Sequence, residues 1–167
     1  TDPETLSTLE NLGFENPQAV DSMVRVWHHG RYRSTHNSRA RQLLTELMPV
    51  LLKSLADTAN PDQAFLRFNE FLAGLPAGIQ LFSMFHSNPH LLNLVAEIMG
   101  EAPKLARHLS HKPSVLDSVL DPGFFDAPPN PDELHKELEA ILHQTEFVED
   151  TLDATRRWAN DRWFQIG

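Results

Sequence analysis

The chain has 167 residues, of which 41% are hydrophobic and 22% charged, so it is not wholly disordered and is long enough for a domain with its own core. It contains no cysteine, which excludes disulfides, thiolate zinc sites and cysteine nucleophiles. The net charge is −9, and residues 121–153 hold ten acids against one base, an excess that argues against nucleic acid as a partner because phosphate would be repelled.

Asn-Pro pairs mark where helices are predicted to begin. An Asn side chain accepts hydrogen bonds from the free amides of a first helical turn, and Pro at the first helical position loses no hydrogen bond. Weaker signals of the same kind stand at residues 2–3, 102–103 and 112–113. These signals together predict a series of short helices. The Asn-Pro pairs are Asn16-Pro17, Asn60-Pro61, Asn88-Pro89 and Asn130-Pro131.

The N-terminal third of the chain is predicted to form three helices. The first ends at Gly13, which is typical of a left-handed helix cap, and the second runs from Pro17 to Gly30. The third is the longest and has a leucine-rich stripe at helical spacing over residues 43–55. Pro49 interrupts this stripe, so we expect a kink or a broken turn about one turn before it.

The rest of the chain is also predicted to be helical. Residues 121–130 contain three prolines and are predicted to form a loop. No stretch alternates apolar and polar residues as a strand would, so the fold class is all-α, an array or bundle of about nine to ten short helices with no β-sheet. The remaining helices are predicted from residue 61, around 79–85, over 89–100, around 105–109 and 115–120, and over 131–143 and 146–166.

The sequence shows no pattern for metal or phosphate chemistry. A nucleotidyl-transfer site needs two carboxylates one residue apart to hold magnesium, and the sequence has neither Asp-x-Asp nor a Gly-rich phosphate loop. The best-spaced histidines are His108 and His111, but no third ligand follows at a readable spacing. We therefore expect surface histidines and no bound metal.

Residues 25–41, the basic segment, are the most informative candidate site. They include three histidines besides five arginines, and no acid occurs between Asp21 and Glu46. Arginines gather in this way where carboxylate or phosphate is bound bidentately. The alternative is a basic loop that pairs with the acidic helices of the chain itself. The predicted anion-binding or partner-binding residues are Arg31, Arg33, Arg39 and Arg41.

A series of short motifs covers residues 40–125. In this order and spacing the motifs resemble the central region of the bifunctional glutamine synthetase adenylyltransferase/adenylyl-removing enzyme family, and the resemblance is looser on either side. The motifs are Leu43-Leu44, Met48-Pro49, Leu51-Leu52, Asn60-Pro61-Asp62, Leu81-Phe82, Phe85, Asn88-Pro89, Leu91-Leu92, Gly100, Ala102-Pro103, Leu105-Ala106, Pro113, Leu116-Asp117, Leu120 and Asp121-Pro122.

The resemblance implies a parent enzyme with two nucleotidyltransferase domains joined by a helical middle part. One domain removes adenylyl groups from glutamine synthetase by phosphorolysis, and the other attaches AMP from ATP to a tyrosine of it. The catalytic signature of the family, Gly-Ser followed by Asp-x-Asp, is absent here, so no catalytic residue carries over. ATP and Mg²⁺ are expected for the parent enzyme and no cofactor for this segment. The implied partners are glutamine synthetase, the PII signal protein and the flanking nucleotidyltransferase domains.

The resemblance thus implies a noncatalytic linker or regulatory segment. We expect a helical domain over residues 1–121, a Pro-rich loop or linker over 122–131, and a helical extension over 132–167 that leads toward a nucleotidyltransferase domain. The alternative function is a free-standing helical scaffold or adaptor that binds a partner protein. The apolar stretches are only a few residues long and no signal peptide is visible, so we expect no membrane span and a cytoplasmic location.

Overall fold

A computed structural model of the chain describes residues 2–119, 130–144 and 148–167, and every regular element among them is helical. The all-α prediction is therefore confirmed. The chain divides into an N-terminal unit, Thr1–Pro113, and a C-terminal unit, Ser114–Gly167. The helices are α1 (Pro3–Leu12), α2 (Pro17–His28), α3 (Arg33–His36), α4 (Ser38–Ala56), α5 (Pro61–Gly74), α6 (Ile79–Ser87), α7 (Pro89–Glu101), α8 (Pro103–His111), a 3-10 turn (Pro113–Val115), α9 (Leu116–Val119), α10 (Pro131–His143) and α11 (Val148–Ile166).

The Asn-Pro pairs begin helices as predicted, and three of the four Asn side chains cap them. Asn16 accepts from the amide of Ala19, and Asn60 accepts from the amide of Gln63. Asn130 forms a reciprocal capping box with Glu133. Asn88 makes no such side-chain bond, because it is the only residue between α6 and α7 and its amide instead closes the end of α6. Gly13 ends α1 with φ of +114°, as its position predicts.

Helix α4 runs through Pro49 without a break, so of the two expected outcomes, a kink or a broken turn, the broken turn is wrong. Pro49 has no amide to donate to the carbonyl of Thr45, which removes one hydrogen bond of the helix. Leu47 and Leu51, on either side of the proline, are both buried. Burial of this leucine stripe stabilises the helical path enough to offset the lost bond.

The core of the N-terminal unit forms around α4 and α5. Helix α7 packs on both, α6 packs on α4, and α8 packs on α5. The ring of Trp27 stacks on Phe65 at 5.1 Å between centroids and meets Phe68 edge-on at 6.0 Å. All three rings are fully buried. Such aromatic pairs contribute about 0.5–1.5 kcal/mol each beyond the area they bury, so this cluster holds α2 firmly against α5.

Polar contacts add fixed ties between helices of the N-terminal unit. The carboxylate of Asp62, in the first turn of α5, accepts from the backbone amides of Glu15 and Asn16 at 2.8 and 3.1 Å. Arg67 donates to the carbonyl of Met99 at 2.7 Å, which joins α5 to the end of α7. These bonds connect residues that are far apart in the sequence, so they fix how the helices are arranged.

In the C-terminal unit, Glu137 links α10 to α11. Its carboxylate accepts from the indole nitrogen of Trp158 at 3.0 Å and pairs with the guanidinium of Arg162. Burial by itself raises the pKa of Glu137, but these hydrogen bonds and the positive charge of Arg162 outweigh it, so the pKa of this carboxyl lies below its ordinary value. No residue of α10 is buried.

The last two helices lie where the sequence places them. Helix α10 has the predicted bounds, Pro131–His143. The predicted start of the last helix, residue 146, and most of the predicted loop at residues 121–130 lie outside the described residues. None of the described helices is long and apolar enough to cross a bilayer.

Candidate functional site: the basic segment

The basic segment (residues 25–41) spans the end of α2, a short connection, α3 and the start of α4. Gly30 takes φ of +68° where the chain leaves α2. A side chain there would be strained, and its Cβ would lie 2.7 Å from the Nη1 atom of Arg41. Glycine at this position therefore permits both the turn and the close approach of the arginine.

Asn69 on α5 anchors the start of the connection. Its Oδ1 atom accepts from the indole nitrogen of Trp27 at 2.9 Å and from the hydroxyl of Tyr32 at 3.0 Å. One side-chain oxygen thus satisfies donors from both α2 and the connection, which would otherwise lie part-buried without partners. The chain between Trp27 and Tyr32 is consequently held at both ends by the same residue.

Ser34 and Thr35 anchor α3, a single turn that the sequence pattern does not predict. Both residues have 0% of their surface exposed. The hydroxyl of Ser34 donates to the carbonyl of Leu72 at 2.6 Å. The backbone of α3 also lies so close to Gly78 that a Cβ there would be 2.2 Å from the carbonyl oxygen of Ser34. The basic segment is therefore fixed on α5 and on the turn before α6.

Arg41 has a structural contact that distinguishes it among the four predicted arginines. Its Nη1 atom donates to the carbonyls of Thr35 at 3.0 Å and His36 at 2.6 Å, so it caps the C-terminal end of α3. A cation at this end of a helix also suits the partial negative charge there. Arg41 thus holds the basic segment in shape.

Arg31, Arg33 and Arg39 are exposed. In the part of the chain that the structure describes, none of the three forms an ion pair. Arg25, by contrast, pairs with Asp21 on the same helix at 2.9 Å. The three arginines lie beside residues whose side chains are anchored inward, so the basic segment presents them from a fixed backbone.

Asn69 supports this surface, although no motif in the sequence marks it. It lies four residues after Phe65 and three before Leu72, so it falls on the apolar stripe of α5. A polar residue at such a position needs a buried partner, and that is the signal that could have drawn attention to it. Its donors, Trp27 and Tyr32, cannot be identified from spacing because they depend on how α2 packs on α5.

Other candidate sites lie away from the basic segment. A surface groove of about 410 Å³ and an adjoining one of about 270 Å³ lie between α4 and α7, where Ser54, Asp57 and Asn93 line both. No arginine lines either groove. Within residues 2–119, 130–144 and 148–167, no three His, Asp or Glu side chains are placed to hold a metal ion. His108 and His111 therefore belong to no such group there.

Curated proteins similar to this chain match it along almost its whole length. Bifunctional glutamine synthetase adenylyltransferase/adenylyl-removing enzymes from Mesorhizobium japonicum and Brucella melitensis are 48% and 46% identical over 166 residues, which is 99% of this chain. The enzyme of the same name from Caulobacter vibrioides is 41% identical over 167 residues. The chain spans only 17% of the length of the first two relatives and 16% of the third.

No family model matches the sequence, and no solved structure matches it. The assignment therefore depends on the whole-length similarity to these enzymes, which agrees with the resemblance seen in the motifs of residues 40–125. The chain is homologous to a segment of the bifunctional glutamine synthetase adenylyltransferase/adenylyl-removing enzymes.

Proposed function

We propose that this chain is a noncatalytic helical linker and regulatory segment of an enzyme that adenylylates glutamine synthetase from ATP and deadenylylates it by phosphorolysis. The observation that carries the proposal is the similarity along 99% of the chain to enzymes of that name, of which the chain spans 17%. The rest of the length of those enzymes leaves room for catalytic domains beside this segment.

The packing of the N-terminal unit supports a positioning role. Aromatic stacking joins α2 to α5, the Asp62 carboxylate joins the α1–α2 connection to α5, and Arg67 joins α5 to α7. Contacts between elements far apart in the sequence allow a displacement at one helix to be transmitted to another. Such a unit is suited to setting the geometry between two catalytic domains.

In this role the segment serves a parent enzyme that as a whole carries out the catalysis and binds the cofactors and the protein partners. ATP and Mg²⁺ bind in its nucleotidyltransferase domains, which flank this segment. Glutamine synthetase is the protein substrate, and the PII signal protein and glutamine report nitrogen status. The segment converts that information into a relative placement of the two active sites.

The first test measures catalysis by the chain alone. The purified 167-residue chain is incubated with glutamine synthetase, ATP and Mg²⁺, and transfer of labelled AMP is followed; adenylylated glutamine synthetase with phosphate tests removal. The full-length enzyme is the positive control. We expect neither activity from the chain, and transfer or removal of AMP by it would overturn the noncatalytic role.

The second test measures coupling in the full-length enzyme. Asn69→Ala removes the acceptor shared by Trp27 and Tyr32 and loosens α2 on α5, whereas Glu70→Ala changes an exposed neighbour on the same helix. We expect Asn69→Ala to change the ratio of adenylylation to deadenylylation and Glu70→Ala to leave it unaltered. An unaltered ratio in both variants contradicts the coupling role.

A further inference from the structure

We infer that Arg31, Arg33 and Arg39 form a docking surface for an acidic segment of a partner protein. This inference goes beyond the linker role and does not depend on it, because it concerns what the surface binds. It depends on three features of the basic segment: its unpaired charge, its fixed backbone and the distribution of its exposed arginines over successive elements of the chain.

The charge of this surface is not neutralised by its own neighbourhood. No acid occurs between Asp21 and Glu46, and Asp21 is paired with Arg25. The three arginines form no ion pair with any described residue. A net positive surface attracts carboxylates locally, even on a chain of net charge −9.

The fixed backbone lowers the entropic cost of binding. The side chains of Tyr32, Ser34 and Thr35 point inward and are held by Asn69, by the carbonyl of Leu72 and by burial. Arg31 directly precedes these anchored residues, Arg33 lies between Tyr32 and Ser34, and both arginines are exposed. Binding therefore orders only the arginine side chains, whereas a mobile loop would also pay for its backbone.

The placement of the arginines favours a protein segment over a small anion. Arg31 lies in the connection after α2, Arg33 begins α3 and Arg39 lies in the first turn of α4, so the three exposed side chains start from successive elements of the chain. The grooves between α4 and α7 contain no arginine, and the Nη1 atom of Arg41 is already bonded to two backbone carbonyls. Exposed guanidinium groups on successive elements suit bidentate pairing with carboxylates spaced along a partner chain.

The test measures binding of a fluorescein-labelled oligoglutamate peptide to the 167-residue chain by fluorescence anisotropy. The test variant is Arg31→Gln/Arg33→Gln/Arg39→Gln. Its matched control, Lys104→Gln/Arg107→Gln/Lys112→Gln, removes the same charge at α8. We expect the test variant to lower the affinity for the peptide at least about fivefold and the control to change it less than about twofold. Added salt should lower the affinity of the wild-type chain.

Circular dichroism and a urea unfolding curve establish that each variant is folded. The three single Arg→Gln variants are measured in the same assay, and each should weaken binding about twofold. The inference is overturned by equal weakening in both triple variants, which would show a response to net charge alone. It is also overturned if the peptide does not bind, if phosphate displaces the peptide more effectively than chloride at equal ionic strength, or if sedimentation shows that this surface binds a second copy of the chain.

Discussion

The two units of the chain differ in the balance between apolar burial and charge. The N-terminal unit buries large side chains completely, among them Trp27 and Phe65. In the C-terminal unit Phe164 of α11 is buried, but α10 buries no residue, and its contacts with α11 include the partly exposed ion pair of Glu137 and Arg162. Apolar burial therefore governs the stability of the first unit, whereas the contact between α10 and α11 includes a charge that pH can remove.

The largest loss of stability is expected from a substitution in the core of the N-terminal unit. Phe65 is 1% exposed and contacts the rings of both Trp27 and Phe14, so Phe65→Ala should lower the free energy of unfolding by about 3–5 kcal/mol. Its neighbour on α5, Leu66, is 39% exposed, and Leu66→Ala should cost no more than about 1 kcal/mol. Urea unfolding followed by tryptophan fluorescence measures both, and equal losses would contradict the assigned core.

A pair of glycine substitutions tests how tightly α3 packs within the N-terminal unit. Gly78→Ala places a methyl group against the carbonyl of Ser34 and should destabilise the unit by about 1–3 kcal/mol. Gly74→Ala, at the end of α5, meets no atom closer than 3.5 Å and should be neutral or stabilise by about 0.5 kcal/mol. The temperature of thermal unfolding should therefore fall for Gly78→Ala and stay the same or rise for Gly74→Ala, and an equal fall in both variants would argue against this packing.

The C-terminal unit should respond to the loss of a single charge. Glu137→Gln keeps the size of the side chain but removes the charge that attracts Arg162, and we expect α10–α11 to lose about 1 kcal/mol. Glu139→Gln, on the exposed side of α10, is the control and should change little. Amide hydrogen exchange in α10 and α11 provides the measurement, and equal exchange rates in the two variants would exclude a special role for Glu137.

A smaller effect is expected on the pH dependence of the C-terminal unit. The pKa of Glu137 is lowered by folding, so its contribution to stability is present above the ordinary value of 4.5 and is lost as the pH falls through the lower value of the folded state. The indole N–H resonance of Trp158, which donates to Glu137, should shift in that acid range, while that of Trp27, which donates to Asn69, should not. Glu137→Gln should abolish the shift.

Much of the fold could be predicted because helix ends are encoded locally. Asn130-Pro131 specifies a cap and a first turn within a few residues, and α10 begins there. The path of α4 through Pro49 was not predictable from the same rules, since it depends on burial of Leu47 and Leu51 against other helices. Helix α3 was missed because four residues are too few to show a helical period, and its anchors lie on α5.

The arginines of the basic segment could be identified from the sequence, but the contacts of each could not, and their binding role stays a prediction. The sequence predicts the same binding role for four residues, Arg31, Arg33, Arg39 and Arg41. Their spacing alone does not distinguish a surface arginine from one that caps a helix. Arg41 acquires its bonds to the carbonyls of Thr35 and His36 only because Gly30 leaves room for its guanidinium. Such a distinction requires the three-dimensional path of the chain.

The double acceptor role of Asn69 has a practical consequence for anyone who wishes to transplant the arginine surface. A synthetic peptide spanning residues 25–41 would carry every cation of that surface but leave its supports behind, because Asn69, Leu72 and Gly78 belong to a later stretch of the polypeptide. A graft onto another scaffold must therefore copy two stretches of the chain together, the one that bears the arginines and the one that holds it in place.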